Sequence, residues 1–241
     1  MIHVTHDIDW LTPTHLYSII KTATHGQKWI KVSQLFNKNI FLQGIQNLQK
    51  INAQHQVNGI WHIGAPSQHT YKTFGLRYNK QSPNWTKAMH LLKEQQATIG
   101  LHSVNTESII QQAQQLQEII QQPILFHRSH YLKFTPQELY PQLQQCGITT
   151  DFSLGEAREI TLPANTNLNH QVKCIPTILF DNIFFFQSPE IIFETFKQTL
   201  NKAHQQQQDI AVLFHPENFV VNPALHDYYQ ETLKIVKESN R

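Results

Sequence analysis

Ile2-His3-Val4-Thr5-His6-Asp7-Ile8-Asp9, residues 2–9, reads as a short strand that runs straight into ionisable side chains. No glycine-rich phosphate loop follows this first strand, which removes the strongest sign of a nucleotide-binding sheet. The pattern returns outward along the 241 residues. Candidate strands Ile2–Thr5, Val57–Ile63, Ala97–His102, Ile124–Phe126, Ile148–Phe152, Val172–Leu179 and Ile210–His215 alternate with helical patterns. In Ser108–Ile120 the residues Ile109, Ala113, Leu116 and Ile120 recur at three- and four-residue steps, and Ile192, Phe196, Leu200 and Ala203 do the same later. Helix starts are marked where a hydroxyl or amide residue precedes proline: Thr12-Pro13, Ser82-Pro83, Thr135-Pro136, Ser188-Pro189 and Asn222-Pro223. The first residue can accept a bond from an orphan N–H, and proline has no N–H to leave unpaired. Thr135 and Glu138 have capping-box spacing, and Gly147 can supply the left-handed turn that ends their helix. Strands separated by helices imply parallel pairing. The reading is an α/β chain, a parallel (β/α) barrel of about seven strands, with residues 1–241 as a single domain.

Composition bounds the function. The formal charge is +2 with the basic residues scattered, which argues against nucleic acid as a partner. Two cysteines, Cys146 and Cys174, exclude a disulfide framework and a Cys-rich zinc site. No apolar run approaches the ~20 residues that span a bilayer. The N-terminus lacks a basic region followed by an apolar stretch, so the expected location is cytoplasmic. The glutamine-rich pieces Gln111–Gln122 and Gln205–Gln208 read as solvated helix surface. Oligomeric state is not legible.

A parallel barrel forms its active site at the C-terminal ends of its strands. Ionisable residues collect there: His6, Asp7 and Asp9 after the first strand, His102 after the third, and His127, Arg128 and His130 after the fourth. Asp151 ends the fifth and His215 the last. Burying so many at one rim is costly unless they are paired or hold a metal. Asp7 and Asp9 alternate around Ile8, so on an extended segment they project to the same side, one free to bind metal and the other to handle a proton. Simpler readings exist: a turn and cap before Thr12-Pro13 for the aspartates, satisfied buried histidines for His102 and His215, and a surface charge or ion pair for Arg128.

Five segments in this order resemble the polysaccharide deacetylases, carbohydrate esterase family 4, in a divergent branch. They are Thr5-His6-Asp7-Ile8-Asp9, Ile99-Gly100-Leu101-His102-Ser103, Arg128-Ser129-His130-Tyr131-Leu132, the run from Gly147 to Gly155, and Leu213-Phe214-His215. The resemblance implies a distorted (β/α) barrel. It also implies Asp7 as general base, Asp9 and His102 as metal ligands, and Arg128 as the group orienting the base. Tyr131 falls on the tyrosine whose backbone N–H helps hold the oxyanion, Asp151 on a supporting acid and His215 on the general acid. The implied cofactor is a divalent metal, zinc in the family, and the implied substrate an N-acetylated sugar or related small amide. Metal-assisted hydrolysis suits these groups, since zinc lowers the pKa of bound water toward ~7 and an imidazole titrates near working pH. One departure matters: Thr106 stands where the second histidine of the family's His-x-x-x-His motif belongs. His130, which falls where the family pattern has proline, is the expected replacement and restores a three-ligand set with Asp9 and His102. His6 and His127 are expected to point away, and His62, His69, His90, His170 and His204 have no motif support.

Two other functions fit the same residues: a catalytically degraded barrel that binds carbohydrate, and a barrel metallo-phosphoesterase with two or three metals. Trp10, Trp61, Tyr71, Phe74, Tyr78 and Trp85 could stack on sugar rings, though most are expected in packing. The loop from Gly64 to Pro83 is the expected substrate-facing segment, being longer than such connections usually are.

Overall fold

The computed structural model describes residues 1–9, 39–65, 83–103, 108–164 and 171–239. Trp10, the Thr12-Pro13 start, His69, Tyr71, Phe74, Tyr78, Thr106, His170 and nearly all of the Gly64–Pro83 loop lie outside them.

The described elements are β1 (Ile2–Ile8), α1 (Ile40–His55), β2 (Ile60–Ile63), α2 (Pro83–Glu94), β3 (Thr98–Ser103), α3 (Ile109–Ile120), β4 (Phe126–Ser129), α4 (Pro136–Gln145), β5 (Thr150–Asp151), β6 (Lys173–Cys174), β7 (Thr177–Phe180), α5 (Pro189–Gln205), β8 (Ile210–Leu213), α6 (Pro216–Val221) and α7 (Leu225–Ser239). Short 3₁₀ turns, His130–Leu132 and Asp181–Phe185, follow β4 and β7. The eight strands form one sheet in the order β6-β5-β4-β3-β2-β1-β8-β7, and every pairing is parallel.

The sheet curls into the expected distorted barrel. Eight strands rather than about seven result because the anticipated strand Val172–Leu179 changes partner partway. Ile175 N–H bonds Asp151 on the β5 side, whereas Pro176 presents its carbonyl to Ala211 N–H on the β8 side. Proline lacks the N–H that would continue one ladder, so β6 pairs with β5 and β7 with β8. A single bridge from Gly155 to Thr177 joins the chain after β5 to β7.

Helices cover the outside. α3 buries Ile109, Ala113, Leu116 and Ile120 together with Gln112, and α5 buries Ile192, Phe196, Leu200 and Ala203, as their periodicity requires. α2, α4 and α5 begin at the anticipated prolines, but the Thr135 and Ser188 side chains make no capping bond, and their carbonyls accept the first helical bonds instead. Gly147, at φ +74°, ends α4 with the left-handed turn expected. Within the barrel Phe126, Ile60, Phe152, Ile175 and Ala211 form a small floor, separate from the main core between sheet and helices. Above that floor the interior becomes polar. Among the described residues no helix is long and apolar enough to cross a membrane.

Candidate active site

Arg128 is the first polar layer above the floor. Its side chain is fully buried on β4, 5.6 Å above the Phe152 ring. Nε donates to Phe152 O (3.1 Å), Nη1 to Thr5 Oγ1 and Asp7 Oδ1 (both 2.9 Å), and Nη2 to Thr177 Oγ1 (2.7 Å). One guanidinium thus spans β1, β4, β7 and the residue after β5.

Asp7 sits at the end of β1, held by that guanidinium. Burial by itself would raise its pKa, but Arg128, with His102 and His62 nearby, holds the carboxyl well below the usual carboxylate range. His62 on β2 faces the same layer, its Nδ1 3.2 Å from Asp7 Oδ1, and burial pushes its pKa down to about 4. Gly100 on β3 makes room for this ring: a Cβ there would lie 2.6 Å from His62 Cδ2.

Asp9, His102 and His130 form the next layer, and one ligand atom from each lies within 4.8 Å of the others. His102 Nδ1–H donates to the Arg128 carbonyl (3.0 Å), which in the neutral ring leaves Nε2 as a bare lone pair. That Nε2 is 3.0 Å from both Asp9 Oδ1 and His130 Nδ1. Asp9 Oδ1 is buried, and no hydrogen bond is aligned to it. Burial alone would raise the Asp9 pKa, but the positive charge that His130 and His102 carry in their protonated forms holds it well below the carboxylate range, an attraction the neutral rings do not offer. A bare imidazole nitrogen facing an orphaned carboxylate oxygen is a repulsive arrangement that a cation relieves. Two imidazoles and a carboxylate are also a donor set that suits zinc, so the residues present fit a divalent ion.

His215 follows β8 on the opposite side, with Nε2 4.0 Å from Asp9 Oδ2. Asp181, fully buried after β7, accepts from His215 Nδ1–H and from its backbone N–H, both at 2.7 Å, and from Asn218 Nδ2 at 3.0 Å. Burial alone would lower the imidazole pKa, yet Asp181 carries it up to about 10. Asp7, Asp9, His102, His130, Tyr131 and His215 all line one cavity of about 460 Å³. Tyr131 adopts φ 57°, a left-handed conformation that is uncommon for a non-glycine residue and concentrates at functional sites.

Asp151 is not brought to this cavity. It pairs in register with His127, on the opposite face of the strands from Arg128, and bonds His127 Nδ1 (2.7 Å) and Ser153 Oγ (2.6 Å). Asp181 is instead the acid that supports His215. His127 completes a buried chain to Ser103 Oγ (2.7 Å). His6 is likewise turned outward, against Phe214 O, Asn52 and Tyr229. Trp61 and Trp85 are buried in packing, so the described aromatic lining of the cavity is made by Tyr131, Phe180, Phe185 and Phe186. Asp181 and His62 are the two site residues that the sequence reading passed over. Asp181 lies two residues past Leu179, the end of the anticipated strand, and the strand-end rule applied there would have found it.

The fold is that of the polysaccharide deacetylases. No protein-family model and no curated protein matches the chain by sequence. Among solved structures, an allantoinase, PuuE, superposes with a TM-score of 0.62 at 11% identity, over 98% of this chain and 84% of that one. A polysaccharide deacetylase structure from Mycobacterium smegmatis gives 0.56 at 13% identity, over 96% and 83%. A family 4 carbohydrate esterase pseudoenzyme from Bacillus anthracis gives 0.50 at 11% identity, over 97% and 60%. At these identities the likeness is one of fold.

Proposed function

We propose that the protein is a metal-dependent hydrolase that removes an acetyl group from an N-acetylated sugar or related small amide. The observation that carries this reading is the convergence of Asp9, His102 and His130 beneath a cavity flanked by Asp7–Arg128 on one side and Asp181–His215 on the other. Asp9, His102 and His130 would hold a divalent ion, zinc by the family resemblance, which when bound polarises the acyl carbonyl and acidifies the attacking water. Asp7, kept ionised by Arg128, takes the proton from that water. His215, held as the imidazolium by Asp181, gives its proton to the departing amine. Tyr131 is assigned, through the motif it shares with the family, to steady the oxyanion by its backbone N–H. Asp151 keeps a supporting role only through the His127 strand network.

The test is metal content and acetate release together. Wild type should bind about one zinc per chain and His130→Ala should lose most of it; equal stoichiometry in the two would remove His130 from the site. Asp7→Asn should retain the metal while turnover falls roughly 10²–10⁴-fold. A second reading is a carbohydrate-binding barrel without turnover, favoured by the pseudoenzyme of the same fold and by the substitution at Thr106. Metal-loaded wild type that binds N-acetylated sugars yet releases no acetate would support it. The phosphoesterase reading needs more ligands, and among the described residues there is one group of three.

A further inference from the structure

We propose that Arg158 forms a subsite for a negatively charged substituent, so that the sugar accepted here carries a carboxylate or phosphate besides its N-acyl group. This rests on the reading of the cavity as a site for N-acylated sugars and adds the charge of the substrate to it.

The cavity has two unlike zones. Its deep end holds the histidines and aspartates described above, whereas its outer wall is aromatic. Tyr131 and Phe186 are each 55% exposed and are the two exposed large aromatic side chains among the described residues; both border this cavity. Rings presented to solvent at the mouth of a polar pocket suit the apolar faces of a sugar ring. Arg158 lies on the same wall, its guanidinium carbon 5.3 Å from the centroid of the Phe186 ring.

Arg158 differs from Arg128 in the way its donors are used. Arg128 is consumed by four bonds inside the barrel. Arg158 is exposed, and among the described residues no carboxylate lies within 4.0 Å of it, although Glu156 and Glu159 are its near neighbours in the chain. Packing against an aromatic ring restrains a guanidinium and leaves N–H donors on its edge for a ligand. A planar fork of that kind matches carboxylate and phosphate oxygens in pairs, and a neutral hydroxyl uses it poorly. Among the described lining residues Arg158 is also the one lysine or arginine. The remaining charged lining groups are the carboxyls of Asp7, Asp9 and Glu217 and the histidines of the deep end. An anionic substituent therefore finds its fixed positive partner on this wall.

The experiment uses the full chain with added Zn²⁺ and three probes: N-acetylglucosamine 6-phosphate, N-acetylmuramic acid and neutral N,N′-diacetylchitobiose. Binding is followed by calorimetry and acetate release by a coupled assay, in wild type, Arg158→Gln and Arg158→Lys. Wild type should bind one of the anionic probes at least about tenfold more tightly than the neutral one, and Arg158→Gln should erase that ratio. Arg158→Lys, which keeps the charge and loses the fork, should retain more of a phosphate preference than of a carboxylate preference. The probe that is favoured identifies the source of the charge. Equal affinity for all three probes in wild type, or a ratio unchanged in Arg158→Gln, overturns the subsite. Acetate release without a charge preference leaves the hydrolase reading standing and removes the subsite. A preference dependent on Arg158 without acetate release from any probe does the reverse.

Discussion

Arg128 holds its charge inside the barrel without contact with solvent, and the ionisation of Asp7 depends on it. Breaking a buried ion pair from one side leaves the other charge stranded, which costs about 3–5 kcal/mol. Arg128→Met should therefore destabilise the protein by that amount in urea unfolding, and Arg128→Lys should not restore it, because an ammonium cannot reach the same four acceptors in one plane. Asp181 is the second residue on which the site turns. Its carboxylate accepts from two atoms of His215, so Asp181→Asn should remove the charge that favours the imidazolium. Turnover should fall roughly 10²-fold in steady-state assays while the metal content is retained. His62 shows why some of the site was not readable from the chain. It lies within the apolar run Ile60-Trp61-His62-Ile63, where nothing but the inward or outward parity of the strand tells a site residue from a packed one. Asp151 shows the converse. It ends a strand as a site residue should, and only its register with His127 reveals that it faces away.

At the scale of elements, the strand ends were legible because apolar runs in this chain stop at ionisable residues, and β1, β3, β4 and β8 bring those residues to one mouth. The helices were legible through their periodic faces. The change of partner within residues 173–180 was not, since it depends on which neighbours are available on each side of Pro176. Neighbouring strands also constrain one another through glycine. Gly100 on β3 borders the His62 ring on β2, and a methyl group there meets a buried imidazole rather than the free end of a flexible side chain. Gly100→Ala should cost about 1–3 kcal/mol, measured by thermal or urea unfolding, and should lower turnover as well because the displaced ring borders Asp7.

For the whole molecule, buried neutral histidines set the response to acid. Burial pushes His6 to about 3 and His62 to about 4, against about 6.5 for an unfolded chain. Below pH 6.5 the unfolded state binds protons that these two sites in the folded state refuse, so stability falls as the pH drops. Each contributes up to about 2 kcal/mol of loss between pH 6.5 and 5. Urea unfolding at those two pH values should show the fall, and His6→Gln should reduce it. The barrel's closure has a consequence of a different kind. Asp9, His102 and His130 stand at the ends of β1, β3 and β4, within an unbroken run of paired strands, whereas Arg158 and Phe186 follow β5 and β7, which meet through one backbone bridge and the Thr177 side chain. Stiffness is therefore unevenly shared around the mouth: Tyr131 stands with the ion-gripping residues on the braced side, and the Arg158–Phe186 side of the wall is the one able to yield to guests of different girth.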